Sequence, residues 1–367
     1  MAAKAASTQP VARVEGYTYN AWYLAGWTSS FDAQLSAVKI LNEPIVLYRT
    51  EAKHWVALED LCPHKLVPLS LGERIGDCLR CHYHGLKFAA DGRCVEIPGQ
   101  AVVPAAVRVR TYPVTERHGG VWIWMGAPER ADESELPDII GEGDPGYTIF
   151  PGSMEVDGAA RLLWDNLLDL THIPFVHFNS LVLGDQEMAA KVLGGEVGKH
   201  STPYDRGIRM DRWHFDQRRQ FELGDDRPVD EHIVTNFSAP GLLTIRTCTY
   251  PAGIRDIYPE GNIPETELLL SSFACQIVTP VTERTCKIFL GIGAWDKAPF
   301  NPALGEVAGK AIIEDRNIIE AQQAVMRANP NRKPMMLSMD RDVARFRSIM
   351  KRLIEQESEL ATAASDV

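Results

Sequence analysis

The sequence predicts an α+β protein of two domains, a small all-β domain followed by a larger one that mixes strands and helices. Three observations predict it. Residues 36 to 126 carry short β-type runs punctuated by turn residues: Ala37-Val-Lys-Ile-Leu41, Pro44-Ile-Val-Leu-Tyr48, His54-Trp-Val-Ala-Leu58 and Gly119-Gly-Val-Trp-Ile-Trp124. A stretch rich in proline, glycine and acids, from Ala127 to Gly146, then reads as a boundary. Beyond it the apolar pattern changes. Arg161 to Leu170, Ala311 to Arg327 and Asp340 to Leu360 read as helices, whereas Phe237 to Tyr250 and Leu268 to Trp295 read as strands. The expected divisions are a tail over 1–16, a first domain over 17–130, a second over 131–360 and a tail over 361–367.

The first domain carries two paired boxes, Cys62-Pro-His64 and Cys81-His-Tyr-His84, separated by residues 65 to 80. Two thiolates and two imidazoles at short spacing make a metal site. One cysteine and one histidine per box is the ligand set of a Rieske [2Fe–2S] centre. There one iron takes two thiolates and the other two imidazoles, which raises the reduction potential. The competing reading is a zinc ribbon, because Cys78-Leu-Arg-Cys81 is also a CxxC. A ribbon needs a second CxxC, and the sequence contains none.

A second constellation lies in Trp164-Asp-Asn-Leu-Leu-Asp-Leu-Thr-His-Ile-Pro-Phe-Val-His177. His172 and His177 are five apart, about 140° around a regular helix, so they do not share a face. Pro174 should end or kink the helix and let His177 turn back. Asp169, three before His172, shares a helix face with it and could accept a hydrogen bond from the ring nitrogen that faces away from a metal. Two histidines plus one carboxylate form the facial triad of non-haem Fe(II) oxygenases. The helix Ala311-Ile-Ile-Glu-Asp-Arg-Asn-Ile-Ile-Glu320 offers Glu314, Asp315 and Glu320 for the third ligand. Asp315 falls on a row with Ile312, Ile319 and Met326, and Glu314 on one with Ile318, Ala321 and Val325. Periodicity does not choose between them.

The remaining composition bounds the function. A formal charge of −11 over 367 residues disfavours a nucleic-acid partner. No apolar run reaches the length of a membrane span, and Met1 to Arg13 lacks the apolar core of a secretory signal. Five of the seven cysteines are left over by the boxes, with no scaffold spacing, so a reduced, cytoplasmic protein is expected. GxGxxG and P-loop patterns are absent, so electrons must come from a partner protein.

Leu61-Cys-Pro-His64, Leu69-Ser-Leu-Gly72, Cys81-His-Tyr-His-Gly-Leu-Lys-Phe88 and Cys94-Val-Glu-Ile-Pro-Gly-Gln100 resemble the cluster loops of Rieske non-haem iron oxygenases. The resemblance is to the vanillate-demethylase-like group, and it extends from Asn20-Ala-Trp-Tyr23 to the C-terminal helix. It implies a helix-grip fold for the second domain, a twisted antiparallel sheet wrapped around helices. It also implies a [2Fe–2S] cluster on Cys62, His64, Cys81 and His84, and a mononuclear Fe(II) on His172, His177 and Asp315, the Asp of the family's Glu-Asp pair. Asn166 matches a position near that iron. Asn236, in Thr235-Asn-Phe-Ser-Ala-Pro240, matches a pocket-lining stretch. The implied assembly is a homotrimer in which Asp169 bridges His84 of one protomer and His172 of the next. The implied reaction uses O₂ and electrons from a ferredoxin or flavin reductase. It is monooxygenation of an aromatic substrate, by O-demethylation or methyl hydroxylation. The alternatives are ring dioxygenation to a cis-diol, N-demethylation or aliphatic hydroxylation. An electron carrier with a cluster alone would not need the second constellation. Lys287 to Asp296 departs from the aromatic pair usual in relatives, so the wall of the substrate pocket differs.

Overall fold

The computed structural model describes residues 13–137, 147–182, 184, 186, 197–218, 223–295 and 302–365. The chain divides into two compact units. The first comprises Met1–Leu136, Thr279–Glu283 and Glu359–Val367, and the second Pro137–Val278 and Arg284–Ser358. No described helix is long and apolar enough to cross a membrane.

The first unit is built from short strands: β1 (Trp22–Trp27), β2 (Ser36–Ile40), β3 (Glu43–Arg49), β4 (Trp55–Glu59), β5 (Glu73–Ile75), β6 (Cys78–Arg80), β7 (Lys87–Phe88), β8 (Cys94–Glu96), β9 (Thr111–Tyr112), β10 (Val114–Arg117) and β11 (Gly120–Trp124). They form three small sheets, ordered β1-β11-β10, β2-β3-β4-β9 and β5-β6-β7-β8. Val46, Leu58, Leu79, Phe88 and Val109 are buried in one core cluster that also takes in Cys62 and Cys81. The tail expected over 1–16 ends earlier. Val14 is buried, and its N–H donates to the Tyr19 hydroxyl at 2.9 Å. Residues 1–12 lie outside the described chain.

A buried carboxylate ties β3 to β9. Glu43, 4% exposed, accepts from Arg110 Nη1 and from the Tyr112 hydroxyl, each at 2.6 Å. Burial raises the Tyr112 phenol, and the adjacent Glu43 raises it further. Removing the cation strands a carboxylate in the core. Arg110→Ala is expected to cost about 3 kcal/mol, read as a lower thermal midpoint. An unchanged midpoint would show that the pair does little for the fold.

The second unit contains β12 (Tyr147–Val156), α1 (Ala160–Leu168), α2 (Ile173–Val176), β13 (Val197–Tyr204), β14 (Gly207–Arg218), β15 (Pro228–Ser238), β16 (Leu242–Pro251), α3 (Ile254–Ile257), β17 (Leu270–Pro280), β18 (Cys286–Trp295), α4 (Pro302–Ala328) and α5 (Arg341–Ser365). Seven strands make one antiparallel sheet, ordered β12-β18-β17-β16-β15-β14-β13. The helix-grip expectation is met in kind: one large antiparallel sheet with helices packed on it. The expected tail over 361–367 is helical as far as Ser365.

Aromatic contacts fix which face of the sheet the helices cover. Phe237 of β15 meets Phe346 of α5 edge-on at 4.7 Å, and Phe346 meets Trp164 of α1 at 5.8 Å. Gly241, between β15 and β16, has φ +147°, and a Cβ there would lie 2.4 Å from Trp164 Nε1. Only a residue without a side chain lets α1 approach that turn. The start of α1 has no side-chain cap of its own. Instead Gln323 Oε1 of α4 accepts from the Ala159 N–H at 3.0 Å, and Glu320 Oε1 accepts from the Asp157 N–H at 3.1 Å. These bonds satisfy orphan donors at the helix entry and register α4 against α1.

Candidate metal centres

The two cysteine–histidine boxes fold as copies of one loop. The Cys62 N–H donates to the Val67 carbonyl at 2.9 Å, and the Leu66 N–H to the Cys62 carbonyl at 2.8 Å. The Cys81 N–H donates to the Leu86 carbonyl at 2.8 Å, and the Gly85 N–H to the Cys81 carbonyl at 2.9 Å. Each loop closes through a left-handed residue, Leu66 at φ +57° and Gly85 at φ +75°. The first is braced further by Asp60, which accepts from the Ser70 N–H at 2.6 Å and hydroxyl at 2.7 Å.

The loops bring the four residues together. Cys62 and Cys81 are 2% and 1% exposed, and the Cys62 thiol is pushed up to about 11 by burial, with the neighbouring Cys81 adding to it. A metal taking these thiols must displace their protons. The imidazoles of His64 and His84 lie at the surface with ring centroids 4.5 Å apart. Two buried sulfurs and two exposed imidazoles suit a two-iron cluster whose histidine side faces outward. Cys81 pairs with Cys62 rather than with Cys78, which sits opposite Ile75. The zinc-ribbon reading has no support here.

In the second unit, α1 ends at Leu168, a single 3₁₀ turn spans Leu170–His172, and α2 begins at Ile173 with Pro174 in its first turn. His177 closes α2. This broken path returns His177 to His172, but the break comes at Asp169 and not at the proline: Ile173 keeps helical backbone (φ −49°, ψ −49°), and Pro174 sits in the first turn of α2, where a proline is tolerated. Their Nε2 atoms are 3.3 Å apart. Asp315 Oδ1, from α4, lies 3.5 Å from His172 Nε2 and 3.3 Å from His177 Nε2. One ligand atom from each of the three falls within a 4.8 Å cluster.

The hydrogen bonds behind the rings settle the tautomers. His172 Nδ1 is 2.5 Å from the Asp169 carbonyl oxygen, and His177 Nδ1 is 2.9 Å from Glu314 Oε2. Both Nδ1 atoms therefore act as donors, which leaves both Nε2 atoms, facing Asp315, as the ones able to hold a metal. Three acceptor atoms converge, with Asn166 Nδ2 their donor at 2.9 Å from Asp315 Oδ1 and 3.4 Å from His172 Nε2. Asn166 Oδ1 is buried without a partner among the described residues. Burial by itself would lower the His177 pKa. The carboxylates of Asp315 and Glu314 outweigh it, so the pKa rises. The pocket draws positive charge, and two neutral imidazoles with one carboxylate fit a divalent iron.

Residues 21–113 match the family described as Rieske [2Fe-2S] domain, and residues 156–356 the one described as vanillate O-demethylase oxygenase C-terminal domain. The chain is a Rieske non-haem iron oxygenase of the vanillate O-demethylase type. It is an oxidoreductase, the oxygenase component of a multicomponent system with a Rieske cluster and a non-haem iron. The iron–sulfur subunit of toluene-4-sulfonate monooxygenase from Comamonas testosteroni is 33% identical over 92% of this chain and 97% of that one. The oxygenase component of dicamba O-demethylase from Stenotrophomonas maltophilia is 32% identical over 93% and 99%. The structure of dicamba monooxygenase bound to 3,6-dichlorosalicylic acid superposes with a TM-score of 0.79 at 29% identity, covering 93% of this chain and 99% of that one.

One further expectation for this oxygenase needs correcting. The Asp169 carboxylate does not back His172. Because α1 ends at Leu168, Asp169 is extended, and its Oδ1 caps the next turn, accepting from the Thr171 N–H at 2.9 Å and hydroxyl at 2.7 Å. Its backbone carbonyl backs the ring instead. Asn236, expected to line a substrate pocket, lies in β15. It pairs with Arg209 and Thr244 on the sheet face opposite Phe237, and Phe237 marks the face that α5 covers. Sequence reasoning missed Ser180, whose hydroxyl donates to Glu314 Oε2 at 2.6 Å. No spacing signals a pair 134 residues apart.

Proposed function

We propose that this oxygenase monooxygenates an aromatic substrate at a methoxy or methyl carbon, with electrons from a ferredoxin or flavin reductase. For an ether, the aryl methyl ether, O₂, two electrons and two protons give a phenol, formaldehyde and water. The observation that carries the reading is the convergence of His172, His177 and Asp315 in a chain that also brings Cys62, His64, Cys81 and His84 together. Such an iron supplies O₂ activation, and the cluster supplies an electron that one ferrous ion lacks. His172 and His177 hold their Nε2 atoms toward the metal, Asp315 adds the charge, and Asn166 orients the Asp315 carboxylate. The relatives that act on toluene-4-sulfonate and dicamba support an aromatic substrate.

The working assembly in this reading is a cytoplasmic homotrimer. In it Asp169 would link His84, which would hold the cluster in one protomer, to His172, which would hold the iron in its neighbour, and so give electrons a path between the two sites. Asp169 Oδ2 has no hydrogen bond among the described residues, so it is available to the partner subunit's His84. Two apolar rims support such docking between copies. Leu66 and Tyr83 beside the cluster loops are 67% and 59% exposed. Phe175 between the iron histidines is 71% exposed, and Met339, whose sulfur lies 3.6 Å from the Thr171 hydroxyl, is 49% exposed. A head-to-tail interface of this kind closes into a ring.

Aerobic incubation with NADH, a surrogate reductase and a panel of methoxylated, methylated and unsubstituted aromatic acids tests the reaction. Formaldehyde or a hydroxymethyl product is expected. A cis-diol without formaldehyde would move the chain to ring dioxygenation.

A further inference from the structure

We propose that Glu314 is a positioning residue that makes His177 the stronger of the two imidazole donors to the iron. The inference rests on reading His172, His177 and Asp315 as the iron site. The two rings look alike from the metal side but are backed differently. A neutral backbone carbonyl, that of Asp169, stands behind His172, and an ionisable carboxylate, that of Glu314, stands behind His177. A carboxylate partner polarises the ring and raises its basicity more than a carbonyl does. Consecutive residues of α4 thus grip both nitrogens of one imidazole, Asp315 at Nε2 and Glu314 at Nδ1. The helix makes this possible, since neighbours are turned about 100° from one another.

Charge balance points the same way. His177 and the Asp315 side chain are 3% and 8% exposed, so a dication there sits in a poorly solvated pocket. Asp315 supplies one negative charge, and Glu314, at hydrogen-bond distance from a ligand ring, supplies the second. Ser180 fixes the Glu314 carboxylate by donating to the same oxygen at 2.6 Å. With the Glu314 side chain 27% exposed, the isosteric Glu314→Gln change has room to be accommodated without upsetting the fold. It keeps an acceptor for the ring and removes the charge. Ser180→Ala removes the brace and leaves the carboxylate on the ring.

The test is iron retention against a graded chelator, with the cluster of the same protein as internal reference. Glu314→Gln is expected to release its mononuclear iron at roughly 10–100-fold lower chelator, with the cluster intact, and Ser180→Ala, which loses the brace but keeps the carboxylate, to fall between Glu314→Gln and wild type. At full loading, the electron paramagnetic signal of the ferrous nitrosyl adduct should change shape more in Glu314→Gln than in Ser180→Ala. Wild-type retention and signal in Glu314→Gln would overturn the proposal. So would equal losses in both variants, which would reduce Glu314 to packing of the 177–184 loop. A wild-type protein holding only cluster iron would instead overturn the reading of the site itself.

Discussion

Asp315→Ala is expected to lower the iron content from about three to about two per chain and to reduce turnover to background, while the cluster stays in place. Among the described residues, Asp315 is the one anionic donor facing both Nε2 atoms, at 3.5 Å and 3.3 Å. Its loss leaves two neutral imidazoles, a bidentate site with no charge to offset the dication. It also leaves the Asn166 amide without its carboxylate acceptor. The cluster ligands reside in the other compact unit, so the visible absorption of the cluster is expected to persist. Iron and acid-labile sulfide, measured together, separate the two centres. A variant with full iron and normal turnover would show that Asp315 is not a ligand.

Asp169→Asn is expected to leave both metals bound and still to cost about a hundredfold or more in turnover. The structure makes this variant unusually clean. The Asp169 backbone carbonyl, which orients His172, is unaffected by the side chain. The cap on Thr171 also survives, because asparagine Oδ1 accepts the same two hydrogen bonds. What changes is Oδ2, which becomes an amide donor. An imidazole N–H from a neighbouring protomer would then face a donor in place of an acceptor. Reduced variant mixed with O₂ and substrate should show slow oxidation of its cluster at normal iron content. Near-normal turnover would remove Asp169 from the electron path.

Much of the site was legible because metal ligands announce themselves by residue type and spacing. Cys62, His64, Cys81 and His84 lie in boxes too short to be anything but loops, and the structure folds them as two equal loops. A break before His177 was expected at Pro174, but it falls at Asp169, and Pro174 opens the next helix, where its missing N–H costs nothing. Periodicity left Glu314 and Asp315 undecided because both face the site, one at each nitrogen of His177. The role expected of the Asp169 side chain failed for a local reason. It assumed one helix through His172, and the helix stops at Leu168, so three-residue spacing no longer aligned the side chains. The placing of Asn236 turns on strand geometry. Adjacent residues point to opposite faces, and its neighbour Phe237 takes the covered one. Much of the large sheet was also hard to see. In β14, Ile208 and Met210 are buried between the more exposed Arg209 and Asp211, an alternation that charged residues obscure.

The central claim is that one chain holds a Rieske cluster and a separate mononuclear iron that act together. The most direct measurement is the iron and acid-labile sulfide content of the reconstituted protein, with paramagnetic resonance recorded after reduction and after nitric oxide. The account predicts about three irons to two sulfides per chain, a reduced-cluster signal, and a distinct ferrous nitrosyl signal that Asp315→Ala abolishes. Two irons to two sulfides, with only the cluster signal, would contradict it and make the chain an electron carrier.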